Sequence, residues 1–197
     1  MSDFLLHYFP DFSEETLSKL NRLQPLYAYW NERINLISRK DFEHFEMHHL
    51  LHSLTIAKLH PFEAKQQILD VGTGGGFPGV PLAIVFPHTQ FVLLDSIAKK
   101  LKVIEDIAEK LQLKNITTLH TRIEEHFEKY DFVTGRAVKN LPQFYAWTEK
   151  NLKPQGSIVY LSGGVQSLSF AKQEKHLSLY THFPESYFET KQLFIFR

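Results

Sequence analysis

Residues 68–84 read "ILDVGTGGGFPGVPLAI", with five glycines and two prolines set between two apolar runs. A short apolar run that breaks into glycines and resumes as a second apolar run is the pattern of strand, loop and helix. Such a strand has both faces to bury, and helices on both sides of a parallel sheet are the usual way to bury them. The loop is also where backbone can approach a ligand closely, because glycine lacks the Cβ that would hold it away.

The rest of the chain repeats this grammar. "QILDVG" reads as a first strand, with a helix near 81–86 after the loop, and "QFVLLD" as a second strand. "SIAKKLKVIEDIAEKL" is amphipathic, with Ile97, Leu101, Ile104, Ala108 and Leu111 on one face. "NITTLH" and "YDFVTGR" are a third and fourth strand, and a helix over 141–151 leads through "KPQG" to a fifth, "SIVYLS". Two late strands, "LSLYTHF" and "KQLFIFR", are too close for a crossover helix and are expected to pair antiparallel at the sheet edge.

Before residue 63 the pattern is helical. Ser13 is a candidate N-cap with Glu14 and Glu15 in the first turn, and Pro25 should end or restart that helix. Tyr27, Trp30, Ile34 and Ile37 recur at helical spacing, and a further helix is expected from after Asp41 to about residue 59. The expected organisation is a helical extension over 1–62 packed on a domain over 63–197, together one structural unit.

Composition narrows the function. With 43% hydrophobic residues and 17 phenylalanines among 197, the chain can bury a large core. It has no cysteine, which excludes disulfides, thiolate metal sites and a cysteine nucleophile. The start, "MSDFLLHYFPDFSEE", has early acids and no basic segment, so a secretory signal is not expected. No apolar run approaches the ~18 residues of a membrane span. A cytoplasmic protein and no membrane partner are the expectation. Net charge is zero, so any nucleic-acid partner must be held by a local basic face.

Three ligand classes use glycine loops. A P-loop is excluded because no Gly-Lys-Ser/Thr follows the glycines. Gly74, Gly76 and Gly79 formally satisfy the dinucleotide pattern G-x-G-x-x-G. Pro78 and Pro81, however, remove N–H groups where a pyrophosphate would need them. Counted from Asp70, the loop is D-x-G-x-G-x-G through Gly72, Gly74 and Gly76, the arrangement of S-adenosylmethionine-dependent methyltransferases. That ligand has no pyrophosphate, and its amino-acid part needs a floor without side chains. Asp95, at the end of the second strand, suits two ribose hydroxyls, although an acid there serves NAD equally.

The longer string "DVGTGGGFPGVPLAI…FVLLDSIAKK" resembles the RsmG (GidB) family, bacterial methyltransferases acting on guanine N7 in 16S ribosomal RNA. The similarity continues in "WNERINLISRKDF", "HHLLHS", "TRIEE", "VTGRAV" and "YFETKQLF". It implies a class I methyltransferase-like Rossmann fold of α/β class: a mainly parallel sheet, antiparallel C-terminal strands and an N-terminal helical extension. It implies S-adenosylmethionine as cofactor, held by Asp70, Gly72, Gly74, Gly76, Phe77, Asp95, Ile123, Glu124 and Arg136, with Ile123 and Glu124 beside the adenine. Arg136 is the expected catalytic residue at the mouth of the site, and no metal is expected. The partner implied is 16S rRNA or a small-subunit precursor; the sequence leaves the oligomeric state open, with a monomer expected. Two positions depart from the family: His52 stands where aspartate is usual, and Ser162 where lysine is usual.

The chemistry agrees with the residues present. Methylating C5 of a pyrimidine needs a nucleophile such as cysteine. Methylating an exocyclic adenine amine goes with an Asn/Asp-Pro-Pro-aromatic motif after the fourth strand, where this chain has Thr134, Gly135 and Arg136. Guanine N7 carries a lone pair and no proton, so positioning suffices without a base. Arg136 could hold the cofactor carboxylate or an RNA phosphate.

Arg33, Arg39, Lys40, Lys99, Lys100, Lys102 and Lys139 are candidate phosphate contacts. Tyr145 and Trp147 are expected in the core rather than stacked on a base. His44 and His48 are spaced to share a zinc ion, but a third ligand is missing and a plain helix surface with His49 at the family position is the better reading. Two alternatives stay open at this level: an NAD-dependent oxidoreductase, and a non-catalytic cofactor- or RNA-binding module.

Overall fold

A computed structural model describes residues 2–138, 140–164 and 173–197. The helical segment contains α1 (Ser2–Tyr8), α2 (Glu14–Asn21), α3 (Leu23–Asn31), α4 (Arg39–Phe42) and α5 (His52–Leu59), with a π-helical stretch Glu46–Leu51 running directly into α5. Then follow β1 (Gln67–Val71), α6 (Gly79–Val85), β2 (Gln90–Asp95), α7 (Ala98–Leu111), β3 (Ile116–His120), β4 (Tyr130–Arg136), α8 (Leu141–Thr148), β5 (Leu152–Ser162), β6 (Gln173–Ser178) and β7 (Gln192–Phe196).

The strands form one sheet in the order β3-β2-β1-β4-β5-β7-β6. Pairs from β3 through β5 are parallel, while β7 runs antiparallel to both β5 and β6. The inner strands β1, β2, β5 and β7 carry buried runs without alternation because each face meets its own core. On β5, Val159 and Leu161 belong to the core that the N-terminal helices, α6 and α7 cover. Ile158 and Tyr160 belong to the opposite core, with Leu141 and Phe144 of α8. On β7 the same division puts Leu193 and Ile195 on one side, Phe194 and Phe196 on the other.

The mainly parallel sheet with antiparallel C-terminal strands is the one expected; several boundaries differ, each for a local reason. The first helix breaks at Arg22, and Pro25 sits in the opening turn of α3, where a missing N–H costs nothing. The stripe through Tyr27, Trp30, Ile34 and Ile37 is not one helix. The Asn31 side chain ends α3 by accepting from the amides of Leu36 and Ile37 (3.0 Å each) and donating to the Ile37 carbonyl (2.9 Å). The single helix expected after Asp41 is divided into α4, the π-helical stretch and α5. Ile97 precedes α7 and is 40% exposed, so the buried face is Leu101, Val103, Ile104, Ile107 and Leu111. "KPQG" lies within β5, accommodated by an irregularity opposite Tyr130 and Phe132. The strand expected at 177–183 ends at Ser178, where the Leu179 amide donates to the Lys191 carbonyl (3.0 Å) and the chain turns.

The helical segment shares the larger core with the sheet, and polar ties reinforce that contact. Trp30 Nε1 donates to Asp106 Oδ2 on α7 (2.7 Å), Arg22 donates to the Lys110 carbonyl (3.0 Å), and Tyr27 donates its hydroxyl proton to the Gly75 carbonyl (2.6 Å). We propose that 1–62 and 63–197 unfold as one unit. In a Trp147→Phe background, Trp30 fluorescence and far-UV circular dichroism should report one coincident urea transition. Two separated midpoints would show that the extension is a domain of its own.

Candidate active site

The glycine loop leaves β1 beside β4, where the order of winding reverses, which is the position at which open α/β sheets hold ligands. Its conformation is held from below by Asp70, which is fully buried. Asp70 Oδ2 accepts from Thr73 Oγ1 (2.6 Å) and the Gly79 amide (3.1 Å), and Oδ1 accepts from Thr134 Oγ1 on β4 (2.9 Å). Burial raises its pKa from 3.8 to about 6, against the lowering effect of those three hydrogen bonds. Gly76 has φ +98°, and a Cβ there would lie 2.5 Å from Val80 Cγ2, so the loop admits no side chain at that point.

Above the loop lies a cavity of about 300 Å³, bordered by Gly72, Asp95, Ile97, Ile123, Glu124 and Trp147, among others. Asp95 is 6% exposed; its Oδ2 accepts from the Gly74 amide and its Oδ1 from the Ile97 amide (2.9 Å each). Each carboxylate oxygen has a further lone pair, so the anchored acid can still accept from a diol. Ile123 is buried and Glu124 exposed at the far wall.

A second cavity, about 230 Å³, opens on the other side of the segment that follows β4. Arg136 lines it with Asp41, His48, His49, His52, Tyr187 and Lys191. Arg136 donates from Nη1 to the His48 carbonyl (3.0 Å) and from Nη2 to His49 Nδ1 (3.1 Å), and its Cζ lies 5.2 Å from the Phe77 ring centroid. Its surroundings desolvate it and depress its pKa. Among the described residues no carboxylate forms an ion pair with it. Ala137, the next residue, separates the two cavities with a left-handed backbone at φ +53°. Val138, one residue further, borders the first cavity.

The expected site residues thus fall into groups. Gly72, Asp95, Ile123 and Glu124 border the first cavity, and Arg136 the second. Asp70 lies behind the loop and Gly76 at its tightest point, both shaping it, and Gly74 presents its amide to Asp95. The Phe77 ring borders neither cavity; it packs against Tyr27, Phe45 and His49. Lys100 and Trp147 border the first cavity; Trp147 and Tyr145 are both half-buried against the smaller core, as expected, with the Tyr145 ring near Phe196. Lys99 and Lys102 are exposed on α7, Arg33 lies over the Tyr29 ring, and Arg39 lines a separate groove beside α3. Lys139 lies outside the described residues.

His48 and His49 are both spent on Asp41, with His48 Nδ1 2.6 Å from Oδ1 and His49 Nε2 2.7 Å from Oδ2. Ser162 is buried and bonds Gly164, while Lys191 Nζ comes within 3.9 Å of where a Gly163 Cβ would be. A cation from just before β7 therefore reaches the end of β5, where the usual lysine is missing. Asp41, Tyr187 and Lys191 carry no sequence signal of their own as site residues, since only the fold brings 41, 136 and 187 together.

Solved S-adenosylmethionine-dependent methyltransferases share this fold. An S-adenosylmethionine-dependent methyltransferase from Aquifex aeolicus superposes with a TM-score of 0.60 at 12% identity, covering 81% of this chain and 98% of that one. Fibrillarin in its complex with Nop5p gives 0.57 at 16% identity, covering 75% and 79%.

The family model for rRNA small subunit methyltransferase G (GidB) matches residues 16–193, and the chain belongs to that family. It is 42% identical to the ribosomal RNA small subunit methyltransferase G of Flavobacterium psychrophilum, over 96% of this chain and 94% of the relative. The Bacteroides thetaiotaomicron relative is also 42% identical, over 97% of each. The chain is therefore an rRNA methyltransferase using S-adenosylmethionine, and the dinucleotide and non-catalytic alternatives fall away. No helix among the described residues is long and apolar enough to cross a membrane.

The raised pKa of Asp70 has a stability consequence. Its contribution is fully present below 3.8 and is lost as pH rises through about 6, by roughly 3 kcal/mol in all. Asp70→Asn keeps the shape and removes the titration. Between pH 4 and pH 8 the wild type should lose about that much unfolding free energy relative to the variant in urea melts; parallel pH curves would contradict it.

Proposed function

We propose that the first cavity takes the adenosine of S-adenosylmethionine, that Arg136 takes its carboxylate, and that the acceptor guanine of 16S rRNA enters from the side of the second cavity. The observation that carries this reading is the pairing of an anchored, acceptor-only acid at the end of β2 with a desolvated guanidinium lacking a carboxylate at the end of β4. The ligand supplies the complements: ribose hydroxyls for Asp95 and a carboxylate for Arg136. Gly72 leaves the strand end open between them, and Ile97, Ile123 and Trp147 offer apolar surface to an adenine.

When bound, S-adenosylmethionine supplies a methyl group on a positively charged sulfur. What the protein must add is alignment, since guanine N7 attacks with a lone pair and no proton has to be removed. The buried, neutral histidines agree with this. Burial, helped by Arg136, depresses His49 to about 4, and burial lowers His52 strongly, so neither adds charge near neutral pH. Lys191 and Arg136 give the acceptor side a local positive charge in a chain with no net charge, suited to a phosphate backbone. We take the protein to work as a monomer in the cytoplasm, on 16S rRNA or a precursor of the small subunit; sedimentation velocity would reveal a stable dimer.

Tritium from labelled S-adenosylmethionine should appear at N7 of a guanine in unmodified 16S rRNA or small subunits. Absence of label at that atom with every ribosomal substrate would overturn the reading. Asp95→Ala and Arg136→Ala should each weaken S-adenosylmethionine binding at least tenfold in calorimetry while the thermal midpoint changes little.

A further inference from the structure

The histidines beside Arg136 have a proton arrangement that the geometry determines. A guanidinium has only donors, so His49 Nδ1, 3.1 Å from Arg136 Nη2, must be the bare, accepting nitrogen. The ring proton then sits on Nε2, 2.7 Å from Asp41 Oδ2, and is donated to that carboxylate. His49 is 8% exposed, and burial with the nearby guanidinium keeps it neutral, with a pKa of about 4. Burial alone would raise the Asp41 carboxyl, but the hydrogen bonds it accepts from His48 and His49 outweigh it and hold it below its usual value. Asp41 is itself positioned by the Ser38 cap of α4, whose Oγ accepts from the Asp41 amide (3.2 Å).

We infer that Asp41 and His49 form a relay that positions Arg136: the carboxylate sets the histidine tautomer, and the bare ring nitrogen, with the His48 carbonyl, seats the guanidinium for an anionic ligand. The logic parallels a carboxylate that orients a metal-binding histidine, with the guanidinium in the place of the metal. The spacer matters. A carboxylate set directly against Arg136 would occupy its fork and satisfy its charge, in competition with the ligand. An imidazole in between holds the side chain through a neutral bond and leaves the charge for the ligand. Asp41 and His49 are positioning residues in this scheme, and α4 becomes part of the active site through Asp41, which borders the second cavity.

The inference rests on the placement of the cofactor carboxylate at Arg136, and the test separates the two. Two-bond proton–nitrogen correlation spectra of histidine-labelled protein report which ring nitrogen carries the proton. In the wild type His49 should carry it on Nε2; a proton on Nδ1 would overturn the relay whatever the protein binds. Asp41→Asn preserves shape but offers one acceptor to two imidazoles. It should shift His49 wholly or partly to the Nδ1–H form and weaken S-adenosylmethionine binding about tenfold. An unchanged tautomer in folded Asp41→Asn, or a shifted tautomer with affinity within twofold of wild type, would sink the inference. If Arg136→Ala leaves that affinity unchanged, the carboxylate placement fails instead, while the wild-type spectrum still decides the tautomer.

Discussion

Asp70 is a carboxylate enclosed at the centre of the molecule, and three segments converge on it. Its two oxygens gather Thr73 from the glycine loop, the Gly79 amide at the start of α6, and Thr134 from β4. No neutral side chain of that size accepts from three donors at once, and burying an acid with fewer partners would cost several kcal/mol. The loop's left-handed glycines, the entry of α6 and the spacing of the two central strands are thereby tied to one group. Both cavities are built outward from this point, one over Gly72 and Asp95 and the other past Arg136.

The same constraint explains what could be read from the sequence. The strand pattern was legible because the inner strands β1, β2, β5 and β7 are buried on both faces, which leaves short apolar runs such as "FVLL" and "IVYL" in the sequence. The glycine loop was legible because its φ angles admit few alternatives. Helix ends were less so: the break after Asn31 depends on one side chain folding back on Leu36 and Ile37, which no periodicity reveals. The division of the expected 42–59 helix depends on a π-helical stretch, in which His48 and His49 both turn toward Asp41.

Site residues divide in the same way. Asp95, Ile123 and Glu124 follow strands and could be placed by counting from strand ends. Asp70 has a cofactor motif's address but a structural position, because in the sequence an acid below the loop and an acid beside the ligand look alike. Asp41, Tyr187 and Lys191 were missed because they meet Arg136 only through tertiary packing, across 95 residues in one direction and more than 50 in the other. Family resemblance supplied the acceptor; the residues alone permitted it.

The reversed direction of β7 has a consequence for how such an enzyme can change its target. Because β7 runs against β5, its first residues emerge at the same edge as the last residues of the parallel strands, and Tyr187 and Lys191 reach the second cavity without a crossover helix. The second cavity is thus written partly in a short connection between the last two strands, and the first in segments between β1 and α8. Substitutions in that connection can reshape the second cavity while the lining of the first stays untouched. The C-terminal reversal makes the walls of the two cavities separately adjustable within one small sheet.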